Sequence, residues 1–219
     1  MKALSSGAVF NKSILMSSDP VSILHAPLTS VSIGSGHISA TECTLKIRCR
    51  DRYFRDTEVC DVDGHKLFVL EAKGPFMSWS IRRTLKDSSG NHILDLRHYK
   101  SKLKQWIVED PTGRELCLVK DGVVPGSRFT AVDAQVSVEV NNVTISLRSF
   151  DHAGTKTHFE VDGVVIAEML LTDNNDVSFL HRQDLERTSW RLRIAGGVDL
   201  PLVLALAFCR AEISHAWRR

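Results

Sequence analysis

Apolar and polar residues alternate along most of the chain in short runs, which is the pattern of β-strands with one buried and one solvated face. The clearest run covers residues 45–50 and gives one strand an apolar face and a basic face. Its apolar members are Leu45, Ile47 and Cys49, and its basic members are Lys46, Arg48 and Arg50.

Similar runs follow at hairpin spacing through the rest of the chain. The predicted strands are Thr57–Cys60, Lys66–Glu71, Ser78–Lys86, His92–His98, Gln105–Glu109, Glu115–Lys120, Arg128–Asp133, Val136–Val140, Thr144–Phe150, Thr157–Val161, Val164–Leu171, Val177–His181 and Ser189–Ile194. Many are separated by Asp or Asn together with Gly, as in residues 61–64 and 87–91. Asp can accept hydrogen bonds from its own turn and Gly supplies positive φ, so these segments predict tight hairpins and a mainly β fold.

The end of the chain departs from this pattern, because residues 200–209 are apolar on every side. Asp199 is a good N-cap, and Pro201 falls in the first turn, where its missing N–H is harmless. We therefore predict a helix from Leu200 to about Trp217. A membrane span needs ~20 apolar residues and this run is shorter, so the helix should be enclosed by protein. The predicted fold is a closed antiparallel β-barrel of about twelve strands around one apolar C-terminal helix.

Length and composition fit a single folded domain. The chain has 219 residues, of which 43% are hydrophobic and 25% charged. We expect a partly ordered N-terminal arm over residues 1–40 and one domain over 41–219. The five cysteines form no C-x-x-C motif, which favours buried free thiols in a reducing compartment. No signal peptide, lipidation motif or transmembrane span is predicted, so we expect a cytoplasmic protein, with peripheral membrane association as a further possibility.

The net charge of +2 conceals an uneven distribution. Residues 45–104 carry 14 Lys/Arg against 8 Asp/Glu, whereas residues 105–199 carry 9 against 15. Two interpretations remain open. The two halves attract each other in the fold, or a basic outer surface faces an anionic partner.

Three segments resemble the LURP-one-related family, which has the tubby C-terminal-like fold. They are Asp61–Val69, Leu85–Arg97 and the Gly197-Val198-Asp199 sequence that leads into the apolar helix, and the resemblance covers roughly residues 45–213. It implies a twelve-stranded barrel around a central helix and does not imply an enzyme. More distant relatives by fold are the phosphoinositide-binding tubby proteins and the phospholipid scramblases. Pro201 departs from the usual start of the helix.

The sequence carries no known catalytic, metal-binding or nucleic-acid-binding motif. The chain has no G-x-S-x-G, H-E-x-x-H, phosphate loop or G-x-G-x-x-G, and no two of its nine histidines have metal-ligand spacing. Asp61 and Asp63 look like a carboxylate pair, but their turn accounts for both. We expect no enzyme activity, no cofactor, no metal and no nucleic-acid partner.

Two basic stripes are the remaining candidates for a binding site. Lys46, Arg48 and Arg50 share one strand face, and Lys100, Lys102 and Lys104 repeat the same spacing. Such charges can be a solvated strand face, or they can bind anionic phospholipid headgroups or an acidic partner. We select Lys46, Arg48 and Arg50 as ligand-binding residues of a binding or adaptor module that contacts phosphoinositide or other anionic membranes. The alternative is a protein-interaction or regulatory module with no lipid role.

Overall fold

In a computed structural model of the chain, the described residues form twelve β-strands and one α-helix. The structure describes residues 22–49, 56–72, 81–98, 105–122, 131–137, 142–150, 155–173 and 188–216. The strands are β1 Cys43–Cys49, β2 Asp56–Cys60, β3 Lys66–Ala72, β4 Ile81–Asp87, β5 His92–His98, β6 Gln105–Glu109, β7 Glu115–Gly122, β8 Ala131–Ser137, β9 Asn142–Ser149, β10 Lys156–Val161, β11 Val164–Asp173 and β12 Thr188–Ile194. The helix α1 is Leu200–Ala216.

All strand pairs are antiparallel, and each strand from β2 to β12 pairs with its neighbours in the sequence. The first strand pairs with both β2 and β12, so the sheet closes on itself. The mainly β fold with one C-terminal helix is therefore confirmed. Closure leaves no long unpaired edge among the described strands, and such edges are where sheets are most prone to aggregate.

Alternation along each strand places apolar side chains inside the barrel. In β10, for example, Thr157, Phe159 and Val161 are buried while the residues between them are partly exposed. In β1, Leu45, Ile47 and Cys49 are buried as predicted. Because the period of side-chain direction is two, this pattern fixes the register of each strand against its neighbours.

The helix fills the barrel. Every side chain from residue 201 to residue 211 is buried, on all sides of the helix, so the prediction that protein encloses it is confirmed. Its N-cap is also as predicted, because the backbone N–H of Leu202 donates to Asp199 Oδ1 at 3.3 Å. A barrel of twelve strands is too wide for its own side chains to fill, and the helix supplies the missing core.

Three hairpin turns repeat one arrangement, with an aspartate that accepts the backbone N–H groups two and four residues later. The aspartates are Asp61, Asp87 and Asp110. At Asp110, hydrogen bonds from Thr112 and Arg114 lower the pKa of the carboxyl to about 2. In each turn the next-to-last residue is a glycine with φ between 85° and 89°, a conformation in which a Cβ would be strained.

The N-terminal arm packs on the barrel over its described part. The N–H of His25 donates to the carbonyl of Val165 on β11, and Val31 forms a parallel bridge with Val198. Residues 31–39 then cross the end of the barrel at which the helix begins. There the Asp199 carboxylate accepts hydrogen bonds from Ser35 Oγ at 2.8 Å and Ser32 Oγ at 3.1 Å. One buried aspartate therefore caps the helix and holds the arm. Residues 1–21 lie outside the described chain.

Two predicted strands require correction. The segments Arg128–Asp133 and Val136–Val140 contribute to a single strand, Ala131–Ser137, which runs without a break. Residues 134 and 135 are Ala and Gln, neither of which favours a turn, so the ladder continues through them. The predicted strand Val177–His181 lies outside the described residues.

Replacement of Leu204 by Lys tests the enclosure of the helix. The side chain is fully buried, so the substitution places an unpaired charge in the core. The cost is several kcal/mol against a typical stability of ~5–15 kcal/mol, and we expect insoluble or unfolded protein. Circular dichroism and thermal unfolding check this. A soluble variant with the wild-type melting temperature would contradict an enclosed helix.

Candidate functional site

The predicted basic stripe begins on the outer face of β1. Lys46 is exposed and Arg48 is partly exposed, between inward side chains that are buried. The predicted outward direction of both cations is therefore confirmed. Arg50, the third residue of the stripe, lies outside the described residues, as do Lys100, Lys102 and Lys104 of the second stripe.

A third cation joins this face from the neighbouring strand. The register of β1 and β12 places Arg191 directly opposite Lys46, and Arg191 is also exposed. In the described part of the chain, no carboxylate lies within ion-pair distance of either residue. We call Lys46, Arg48 and Arg191 the basic face.

A second pair of facing cations in the same barrel provides an internal comparison. Arg82 on β4 stands directly opposite Arg97 on β5. Both guanidinium groups pair with the buried carboxylate of Glu109, at 2.8 Å for Arg82 and 2.5 Å for Arg97. Like charges opposite each other destabilise a sheet, and here a carboxylate neutralises them. The pair formed by Lys46 and Arg191 has no equivalent carboxylate among the described side chains.

The basic face belongs to a longer row of outward side chains that crosses five strands. The N–H of Phe150, directly after β9, donates to the carbonyl of Lys156 at 3.1 Å. Lys156 pairs with Leu170 on β11, Leu170 pairs with Arg191, and Arg191 pairs with Lys46. We call these five residues the cross-strand row. At about 4.8 Å per strand, the row is about 19 Å long.

A buried ionic cluster lies beside this row. Glu168 on β11 faces His158 on β10 and Arg193 on β12, and its carboxylate is almost fully buried on the outer wall. Lys156 Nζ lies 3.4 Å from Glu168 Oε2, and Arg193 also pairs at 2.8 Å with Glu42, the residue directly before β1. Lys156 and Arg193 are therefore neutralised by carboxylates, which distinguishes these two cations from Lys46 and Arg191 of the basic face.

The N-terminal arm covers the cluster through Ser22. Ser22 Oγ donates to Glu168 Oε2 at 2.5 Å and lies 2.9 Å from His158 Nε2, while Arg193 Nη1 donates to the Ser22 carbonyl at 3.0 Å. Burial by itself raises the pKa of the Glu168 carboxyl. Hydrogen bonds from Ser22 and His158 and the charge of Lys156 outweigh this effect and hold the pKa below its ordinary value.

Two further arginines lie inside the barrel rather than on its surface. Arg83 on β4 forms a bidentate ion pair with Glu212 of the helix, and its guanidinium is 5.1 Å from the centre of the Trp106 ring. Arg210 of the helix donates from Nε to Ser149 Oγ at 2.7 Å. These contacts attach the second half of the helix to the barrel wall, a structural role that the sequence pattern did not predict.

The carboxylate pair of the first hairpin turn belongs to that turn. Asp61, Asp63 and His65 bring their ligand atoms within 4.8 Å of one another. Asp61, however, already accepts hydrogen bonds from the backbone of the other two residues and lies 3.0 Å from His65 Nδ1. This geometry is that of a hairpin turn and gives no support to a cation site.

Arg191 is the residue of the basic face that the sequence analysis missed. It lies in the predicted strand Ser189–Ile194, between the apolar Trp190 and Leu192, so alternation alone placed it outward. What could not be read from the sequence is that β12 pairs with β1, more than a hundred residues earlier, and in which register. That pairing brings Arg191 opposite Lys46.

In the described residues, an antiparallel barrel of twelve strands filled by a C-terminal helix defines a class of fold rather than a chemistry. The family model described as LURP-one-related matches residues 43–211, so the chain belongs to that family. The resemblance seen in the sequence is thereby confirmed.

The fold is shared with a protein from Arabidopsis thaliana whose X-ray structure is known. The TM-score is 0.57 at 16% sequence identity, and the match covers 87% of this chain and 100% of the other. At this identity the likeness concerns the fold alone. The comparison with curated proteins gives no match. In the described part of the chain, no helix has the length and apolar character that crossing a membrane requires.

The Glu168 cluster predicts a pH-dependent stability. The folded-state pKa of Glu168 lies below its ordinary value of 4.5, so its stabilising contribution is present above that pH. The contribution is lost as the pH falls through the folded-state pKa. We expect Glu168→Gln to lower the free energy of unfolding by about 1–3 kcal/mol at pH 7, because hydrogen bonds to a charged group are lost.

Urea unfolding of wild type and Glu168→Gln at pH 7 and pH 3 checks this prediction, and the difference between them should shrink at the lower pH. Glu160→Gln is the matched control, because the partner of Glu160, Arg148, is 66% exposed and such pairs contribute little. An equal loss at both pH values would contradict a stabilising ionised Glu168.

Proposed function

We propose that the protein is a non-enzymatic binding module whose basic face binds the anionic surface of membranes that contain phosphoinositides. The observation that carries the proposal is the facing pair of Lys46 and Arg191, both exposed and without a carboxylate among the described residues. The absence of nucleophile, metal and phosphate-loop motifs from the sequence supports the non-enzymatic part.

The facing cations are a cost to the fold, which argues for a partner outside it. Like charges directly opposite on a sheet are destabilising, and the chain neutralises such a pair elsewhere with Glu109. An anionic ligand at Lys46 and Arg191 replaces that missing carboxylate. A phosphate group suits the role, because an arginine can donate two parallel hydrogen bonds to it.

The spacing of the basic face fits a headgroup with several phosphates. Lys46 and Arg48 are two residues apart on one strand, which corresponds to about 6.8 Å, and Arg191 is one strand away, at about 4.8 Å. Three cations at these separations can contact neighbouring phosphates at the same time. An acidic segment of a protein partner is the alternative occupant, and the experiment below separates the two.

Neutralisation of the basic face tests this function. Each basic residue near an anionic membrane contributes about 1 kcal/mol, so replacement of Lys46, Arg48 and Arg191 by Gln should weaken binding by over a hundredfold. The measurement is co-sedimentation with phosphatidylcholine vesicles that contain a phosphoinositide, at low and at physiological salt. Wild-type binding should fall steeply with salt, because exposed charges are screened within ~8 Å at physiological ionic strength.

A second triple variant, with Lys86, Arg114 and Lys120 replaced by Gln, removes the same net charge from a part of the barrel that does not adjoin the basic face. It should bind nearly as wild type does. If wild type does not bind these vesicles at low salt, or if both triple variants lose affinity equally, the membrane function is wrong. The protein-interaction alternative then takes its place.

A further inference from the structure

Phe150 is a large apolar side chain that points outward at one end of the cross-strand row. It is 51% exposed, although phenylalanine is usually buried. Its ring lies 4.6 Å from the His158 ring in an edge-to-face arrangement, and Lys156 Nζ is 5.5 Å from the ring centre. The ring is therefore held in place by two polar neighbours while one side remains open to solvent.

A second exposed apolar residue lies close to Phe150. Ile23 is 75% exposed and directly follows Ser22, whose hydroxyl is 2.9 Å from the same His158 that contacts Phe150. Leu170, half-buried, occupies the cross-strand row between Lys156 and Arg191. Apolar side chains are thus concentrated along the part of the cross-strand row that runs from Leu170 to Phe150, next to the basic face.

The combination of an exposed aromatic ring with uncompensated cations on the same cross-strand row fits one occupant, a membrane surface. The cations can bind headgroup phosphates, and an apolar ring on the same outer wall can enter the boundary between headgroups and acyl chains. Charge complementarity with Lys46 and Arg191, at the other end of the same row, is what favours an anionic bilayer over a neutral apolar partner.

We propose that Phe150 is an apolar anchor that enters the bilayer when the basic face binds anionic headgroups. The anchor fixes the orientation of the bound protein, with β11, which lies midway between β9 and β1 in the barrel, turned toward the membrane. This inference rests on the proposed function, because it concerns how the same membrane is held.

The two contributions differ in their response to salt, which makes them separable. Attraction between the basic face and headgroups is screened, whereas transfer of the Phe150 ring out of water is not. Phe150→Ser should therefore weaken vesicle binding about tenfold at both low and physiological salt, with an unchanged salt dependence. The triple variant of the basic face, in which Lys46, Arg48 and Arg191 are replaced by Gln, should instead bind more weakly, and its binding should lose most of its salt dependence.

Val62 supplies the matched control. It is an apolar residue, 73% exposed, in the turn between β2 and β3. Because neighbouring strands alternate in direction, that turn lies at the end of the barrel opposite to Phe150, which follows β9. Val62→Ser should bind phosphoinositide-containing vesicles as wild type does. Because both substitutions are at exposed positions, equal melting temperatures will show that neither result reflects unfolding.

Depth is measured directly with tryptophan at the two positions. Phe150→Trp and Val62→Trp are each titrated with vesicles whose phosphatidylcholine carries bromine on the acyl chains, and fluorescence is corrected for the native tryptophans by subtraction of wild type. We expect quenching of the added fluorescence for Phe150→Trp only. If wild type binds and Phe150→Ser binds with the same affinity, the anchor is overturned and the basic face stays in place. The same holds if wild type binds and the tryptophan at position 150 is not quenched. No binding of wild type at low salt would overturn both.

Discussion

An apolar helix inside a closed sheet is the constraint on which the other features of this protein depend. Eleven consecutive side chains of the helix are buried, so the wall around them must present apolar groups inward at every second position. Alternation then directs the intervening residues to the outer surface, where most of the charges of the strands lie. Arg83 and Arg210 are exceptions, and both have partners that join helix to wall. The outer wall is therefore the natural place for a binding surface.

Asp199 connects this core to the rest of the chain. Its carboxylate caps the helix and accepts hydrogen bonds from two serines of the arm, and its backbone N–H donates to the carbonyl of Val31. A fully buried carboxylate is costly unless its lone pairs are satisfied, and here the arm satisfies them. The arm is thus part of the domain over its described length, although residues 31–39 show no regular strand pattern in the sequence.

Local features were predictable from the sequence and long-range ones were not. The helix, its cap and the Asp–Gly turns depend on residues within five positions of one another, and all were predicted. The outward direction of Lys46 and Arg48 follows from alternation alone. The position of Arg191 opposite Lys46 depends on a strand pair that spans most of the chain, and the Glu168 cluster unites three strands with the arm. Such contacts depend on register, which a single sequence does not specify. The break predicted near residue 134 was an error of the opposite kind. Weak local preference suggested that one strand ends there, but a single strand continues through residues 134 and 135.

The same register also determines how rigidly the basic face is held. Lys46 and Arg191 extend from adjacent, continuously paired strands, and the neighbouring row of His158, Glu168 and Arg193 is fixed by ion pairs and by Ser22 of the arm. A rigid wall loses little conformational entropy when it binds, so more of the attraction between its charges and an anionic surface appears as affinity. In the same way, Phe150 is held in one position by its contacts with His158 and Lys156. The Glu168 cluster ties β10, β11 and β12 to the arm through Lys156, His158, Arg193 and Ser22, while strand pairing by itself sets the separations between the side chains of the cross-strand row.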